Sequence, residues 1–252
     1  MFTREDAGAI AVIRLAHGKV SALDADFCDA LVREITAVAA SGSKALVITG
    51  TGSAFSAGVD LFKVLDGGAA YLARFLPAMK AFFQTLLTFP KPAVAAVNGH
   101  AIAGGCITAA ACDHRIMARG TGRIGVPELS VGVPFPTLPF VIVGARVAPS
   151  SFRQLVYSGR TVLADEALAL GLVDEVVEPD ALLQRACEHA ETLAKIPAVT
   201  FALTKRTFIA PLLERVEASA GLNAEAQAAW DSPEVQARVR EYLEQTVRRG
   251  KS

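Results

Sequence analysis

Apolar residues recur along the chain with two distinct periods. Ala9 to Leu15 (Ala-Ile-Ala-Val-Ile-Arg-Leu) is short and rich in β-branched side chains, which predicts a strand, and His17-Gly18-Lys19 turns the chain after it. Phe27, Leu31, Ile35 and Val38 then follow at spacings of four, four and three, one face of a helix. Asp24 stands where its N-cap belongs, and Gly42 ends it. Ala45 to Thr49 is a continuous apolar run between polar flanks, a buried strand. Tyr71 to Thr88 predicts a helix with Leu72, Phe75, Met79, Phe82, Phe83 and Leu86 inward, stopped by Pro90 and Pro92. Strands follow at Ala93 to Val97 and Arg115 to Ala118. Leu138 to Val147 reads as an apolar helix, Leu163 to Gly171 as a helix with glycine at its C-terminal end, and Val173 to Val177 as a strand. Beyond Pro179 the pattern is helical, with breaks expected at Pro197, Pro211 and Pro233. Ser232-Pro233-Glu234 opens the last helix, with Val235, Val239 and Leu243 on one face. The tail Arg248 to Ser252 reads as a solvated, frayed end.

Strands and helices thus alternate to about residue 178, and helices alone follow. The expected architecture is an α/β core over 1–178 with a helical C-terminal region over 179–252 in the same structural unit. No repeat of fixed period and no low-complexity linker interrupts it. With 52% hydrophobic and 20% charged residues in 252, the composition is that of a soluble globular chain with ample core. Lys+Arg and Asp+Glu are both 25, which gives no reason to expect nucleic acid or a membrane surface as partner. So neutral and apolar a chain is expected to hide surface in an oligomer. The four cysteines (Cys28, Cys106, Cys112, Cys187) form no Cys-x-x-Cys pair and are expected to be free thiols, mostly buried, in a reducing compartment. The N-terminal Met1-Phe2-Thr3-Arg4-Glu5-Asp6 carries no export signal, so a cytoplasmic location is expected.

Familiar catalytic patterns are absent. There is no His-Glu-x-x-His, no zinc-like Cys/His spacing and no Gly-x-Ser-x-Gly, and His17, His100, His114 and His189 are scattered. Gly120 to Gly125 spells G-x-G-x-x-G, but Val126-Pro127 follows where a helix should open, so it reads as a turn. The glycine-rich stretch from Gly50 to Leu61 lacks the Gly-Lys-Ser/Thr ending of a phosphate-binding loop, and Asp60 is placed to cap a following helix. What remains is two glycine-rich backbone loops, 56–60 and 103–105, each after a strand, and one acid among apolar residues, Glu128. A helix opening at Gly104-Gly105 presents bare N–H groups and the positive end of its dipole, a place to hold a negative oxygen. The same glycines also suit plain close packing of a buried helix, and Glu128 suits a simple helix cap.

Phe55-Ser56-Ala57-Gly58-Val59-Asp60-Leu61, Pro92 to Gly99, Ala103-Gly104-Gly105-Cys106, Cys112-Asp113, Pro127-Glu128 and Ala164 to Val177 together resemble the crotonase (enoyl-CoA hydratase/isomerase) superfamily. The resemblance runs in order over nearly the whole chain. It implies a crotonase-like (ClpP/crotonase) spiral of ββα units with a helical C-terminal trimerisation region, hence a homotrimer or a dimer of trimers. It implies an acyl-CoA thioester as substrate, with coenzyme A entering as part of it, no permanently bound cofactor and no metal. By matching positions, the backbone N–H groups of Val59 and Gly104 form an oxyanion hole. Ala22, Leu23, Ala57, Gly58, Asp60 and Gly105 border the substrate and its coenzyme A. The superfamily's RNA-binding members are disfavoured by the lack of a basic patch.

Hydratases of the family use two glutamates, one after the Gly-Gly-Cys and one in the Pro-Glu. Here those positions hold Ile107 and Glu128. Ile107 can neither donate nor accept a hydrogen bond, so the pair that activates water and delivers a proton is incomplete. Moving a double bond needs only one base and an oxyanion hole, and a dry pocket helps by excluding water. Residues 103–116 also resemble the Δ3,Δ2-enoyl-CoA isomerase branch, which keeps only the Glu128-type acid. The expected activity is therefore conversion of 3-enoyl-CoA to 2-enoyl-CoA with Glu128 as proton shuttle. Hydratase-like chemistry, thioester hydrolysis, decarboxylation and non-catalytic acyl-CoA binding are the alternatives. Residues 62–90 and 133–141 are expected to line the acyl pocket.

Overall fold

The computed structural model describes residues 1–249. Its first strand, β1 (Phe2–Ala7), is one that hydrophobic patterning does not reveal, because Arg4, Glu5 and Asp6 fill it. It pairs antiparallel with β2 (Ile10–Leu15), and its charges suit an edge that must not recruit another strand. The helix α1 (Ala25–Ala40) follows, capped as expected: the Phe27 amide donates to Asp24 Oδ1 at 2.7 Å. Phe27, Leu31, Ile35 and Val38 are all buried on its inner face.

The chain then repeats a strand, a second short strand and a helix. The units are β3 (Ala45–Thr49), β4 (Ala54–Ser56) and α2 (Leu61–Leu87); β5 (Ala93–Val97), β6 (His100–Ile102) and α3 (Gly104–Ala111); and β7 (His114–Ala118), β8 (Ile124–Gly125) and α4 (Glu128–Val131). The elements α5 (Thr137–Gly144), α6 (Pro149–Ser158), β9 (Thr161–Val162), α7 (Ala164–Leu170) and β10 (Glu175–Val177) complete the α/β part. The first strand of each unit joins a six-stranded sheet in the order β1-β2-β3-β5-β7-β10, and the second joins a four-stranded sheet in the order β4-β6-β8-β9. Only β1–β2 and β8–β9 are antiparallel. This is the ββα spiral that the family resemblance implies. All five residues of β3 and of β5 are buried, as parallel strands covered on both faces require. One face packs on α1, α2 and α3; the other packs on α8 (Leu182–Ala194) through Leu182, Ala186 and Ala190.

Several sequence expectations need correction. The helix expected from Tyr71 starts ten residues earlier, where the Lys63 amide donates to Asp60 Oδ1, and it breaks at Gly68 (φ 51°, ψ −145°). Pro211 does not end a helix but lies inside α9 (Ala198–Ala218). Ile209 is buried there and Leu212, Leu213 and Val216 pack on the core, which holds the helix together across the missing N–H. The break falls instead at Ser219, before α10 (Ala220–Trp230) and α11 (Pro233–Arg249). In α11 Val239 is buried and Val235 and Leu243 pack on the core, the face expected. Of the tail expected to fray, residues 250–252 lie outside the described residues. Gly120 to Arg123 is irregular chain leading into β8, so the G-x-G-x-x-G stretch opens no helix, and its last two residues, Ile124 and Gly125, form a strand where a turn was expected. All four cysteines are free, three buried and Cys187 half-buried. No single helix among the described residues is long and apolar enough to cross a membrane.

Candidate active site

The two glycine-rich loops meet because each follows a strand of the small sheet. After β4, the segment 56–60 is laced to residues 20–23. The Ala57 amide donates to Val20 O at 3.0 Å, the Leu23 amide to Gly58 O at 2.6 Å, and the Asp60 amide to Leu23 O at 2.9 Å. Ser56 Oγ donates to Ser21 O at 2.7 Å and accepts from the Gly58 amide at 3.2 Å. Gly58 has φ +81°, and a Cβ there would stand 2.5 Å from Ile102 O and 2.9 Å from Gly104 N. A side chain at 58 would therefore force the two loops apart.

After β6 the backbone turns sharply into α3. Ala103 has φ 49° and ψ −116°, a conformation that an L-residue holds only under strain of about 1–3 kcal/mol. Its amide donates to Gly125 O at 2.9 Å, which fixes the turn to β8. Among the described residues, the amides of Val59 and Gly104 find no protein acceptor. Both residues line one narrow cavity of about 90 Å³. Two unpaired backbone donors in residues that line one cavity can hold an oxygen that carries negative charge.

Glu128 lines the same cavity as the first residue of α4. It is 6% exposed, and its Oε2 accepts no hydrogen bond from the protein. Burial pushes its pKa up to about 8, opposed only by its own backbone amide. Gly132 in the left-handed region (φ 94°) closes α4 after one turn, with the Gly132 and Val133 amides donating to Glu128 O at 2.9 and 3.0 Å. The carboxyl thus sits on a short, pinned element. Ile107, 3% exposed, occupies the cavity wall one turn into α3.

The other expected binding residues divide. Ala57 lines the cavity. Gly58 lies behind it at the loop contact, and Leu23 is buried where a Gly104 Cβ would meet its Cδ1 at 2.7 Å. Ala22 is half-buried beside them. Asp60 caps α2, and a Cβ at Gly105 would lie 2.1 Å from Ser56 O, so that glycine faces β4 and not the cavity. Of the stretches expected to line an acyl pocket, Met79, Val133, Pro136 and Pro139 line this cavity. Trp230 and Tyr242 also line it, from α10 and α11. Sequence reasoning missed them, since neither loop nor motif marks them; the one signal was that Trp230 is the sole tryptophan. Also missed was a polar cluster beside the loop 20–23. Buried Asp24 accepts through Oδ2 from Lys63 Nζ at 2.5 Å and His17 Nε2 at 2.8 Å. Burial works against the Asp24 charge, but the Lys63, Phe27-amide and His17 hydrogen bonds outweigh it and hold its pKa below the ordinary carboxylate range.

Comparison with known proteins gives the family and the fold. The family model described as enoyl-CoA hydratase/isomerase matches residues 5–248. A putative enoyl-CoA hydratase of Thermus thermophilus is 39% identical over 172 residues, 67% of this chain and 67% of its own. Among solved structures, a probable enoyl-CoA hydratase of Mycobacterium tuberculosis is 32% identical, covers 90% of this chain and 97% of its own, and superposes with a TM-score of 0.84. Human mitochondrial Δ3,Δ2-enoyl-CoA isomerase shares the fold at a TM-score of 0.93, with 24% identity and 98% of each chain covered.

Proposed function

The chain belongs to the enoyl-CoA hydratase/isomerase family, and from that premise we propose that it moves a 3-enoyl-CoA double bond to the 2,3 position with Glu128 as the only proton carrier. The observation that carries this is the cavity itself. It holds one buried carboxyl whose Oε2 has no protein partner, and the wall beside it at 107 is isoleucine.

The thioester carbonyl oxygen accepts from the Val59 and Gly104 amides. As charge builds on that oxygen, each donor contributes about 3–4 kcal/mol, which makes the C2 proton removable. Glu128 in its carboxylate form takes that proton, leaving a dienolate whose negative charge rests on the held oxygen. The electron pair then returns through C4, which takes the proton back from the Glu128 carboxylic acid. Atoms and charge balance without water, and the enzyme ends as it began. A pKa near 8 suits both halves, since the acid is neither too weak a base nor too reluctant a donor at neutral pH. The apolar walls exclude the water that a hydratase would have to position. Against the two-glutamate pattern expected of the family's hydratases, this chain keeps an acid at Glu128 and has Ile107 at the other position.

Glu128→Gln tests the assignment, because it keeps the shape and removes the base. Isomerisation of a 3-enoyl-CoA should fall by at least about 10²-fold, with acyl-CoA binding retained. Turnover close to wild type would sink the assignment, and hydration of 2-enoyl-CoA outrunning isomerisation in the wild type would replace the reaction.

A further inference from the structure

We propose that Trp230 sets the acyl-chain length this site accepts and confines it to short chains, about four to six carbons. The inference rests on the reading that the cavity holds an enoyl thioester. Trp230 is the last residue of α10 and is 2% exposed, with its side chain in the cavity wall. It is tied at both ends: the indole Nε1 donates to Pro134 O at 3.1 Å, and Gln236 Nε2 donates to Trp230 O at 2.9 Å. The segment it is tied to supplies Val133 and Pro136 to the same wall, so the ring is anchored to the wall it completes. Met79 of α2 also lines the cavity.

The free space is about 90 Å³, smaller than an apolar cavity of about 150 Å³ that holds one benzene. With the carbonyl oxygen on the Val59 and Gly104 amides and C2 to C4 beside Glu128, that space is used up within a few carbons. A longer chain must push the indole out, which breaks its hydrogen bond and opens the packing beneath it. Each methylene without a place loses the burial that would otherwise favour it, and discrimination of about tenfold or more per misfit group is usual in apolar pockets. Longer chains ordinarily bind apolar sites more tightly, so a preference for short ones needs a barrier of this kind.

The test compares kcat/KM for 3-hexenoyl-CoA and 3-decenoyl-CoA. The wild type should favour the six-carbon chain by at least about tenfold, and Trp230→Ala should lower that ratio by at least about tenfold, mainly through gain on the ten-carbon chain. Trp230→Phe keeps a packed ring and should shift the ratio the same way by less, so the inference stays testable if the alanine variant does not fold. Equal rates on the two chains in the wild type, or a ratio unmoved by either substitution, overturns it. Calorimetric binding of hexanoyl-CoA and decanoyl-CoA reads the cavity without turnover. A length preference that moves with Trp230 in a protein that isomerises nothing upholds this inference and overturns the isomerase reading. Isomerisation without a length preference does the reverse.

Discussion

Glu128 is a carboxylic acid kept neutral by its surroundings. In an unfolded chain its pKa is 4.5, and in the folded one about 8. Between those values the folded state binds the extra proton, so this residue's contribution to stability falls as pH rises from about 4.5 to about 8 and is constant beyond. Replacing it by Gln should therefore stabilise the fold by more than about 1 kcal/mol at pH 9 and by little at pH 4, measured by denaturant titration at the two pH values. Catalysis asks for the opposite form. Because the free enzyme must present a carboxylate, kcat/KM for isomerisation should rise with pH through about 8 and level off above it. A flat profile between pH 6 and 9 would remove Glu128 from the proton path. The acid was legible in the sequence as a lone carboxylate among apolar residues. Its burial was not, because that depends on the wall contributed by Ile107 and by the distant Trp230.

Both glycines of the α3 turn are crowded, one chiefly against backbone and the other chiefly against a side chain. A Cβ at Gly105 would lie 2.1 Å from Ser56 O, which is backbone and cannot yield. A Cβ at Gly104 would meet Leu23 Cδ1 at 2.7 Å, the end of a side chain that can turn aside. Gly105→Ala should thus cost about 1–3 kcal/mol and displace the Gly104 amide, with a fall in kcat, whereas Gly104→Ala should be the milder change on both counts. Thermal unfolding and steady-state rates of the two variants decide this. Elements with many turns or continuous apolar runs could be read directly, as α1, β3 and β5 show. The short strands β4, β6 and β9 could not, since runs of two or three residues are made strands only by partners far along the chain. The helix α6 also escaped, although Phe152, Leu155 and Val156 stand at helical spacing on its buried face, because three apolar positions in a short segment are a weak signal. Pro211 was misread for a related reason: a local rule yielded to the packing of Ile209 and its neighbours.

Across the whole molecule the site is assembled from elements distant in sequence, and Asp24 is one tie among them. It caps α1, accepts from Lys63 of α2 and holds His17 of the turn after β2. Its pKa is lowered on folding, so its contribution is present above the unfolded carboxylate value near 4 and is lost as pH falls through the lower folded one. Asp24→Ala should cost about 1–2 kcal/mol at pH 7, and the difference from wild type should shrink as pH drops below about 4. The α/β alternation, the ββα spiral and the helical C-terminal part were all foreshadowed by patterning and by the family likeness, and matching loops singled out Val59 and Gly104, which line one cavity. The closing wall from α10 and α11 was not, for it is a tertiary contact with no local sign. The proposed mechanism has a single carboxyl carry one proton between two carbons in a dry cavity. Its most direct test is to supply 3-hexenoyl-CoA deuterated at both C2 positions and locate the label in the product. The expected result is 2-hexenoyl-CoA with one deuterium at C2 and, in a substantial share of molecules, one at C4. Product with only solvent hydrogen at C4, or a 3-hydroxyacyl thioester in place of the shifted alkene, would contradict it.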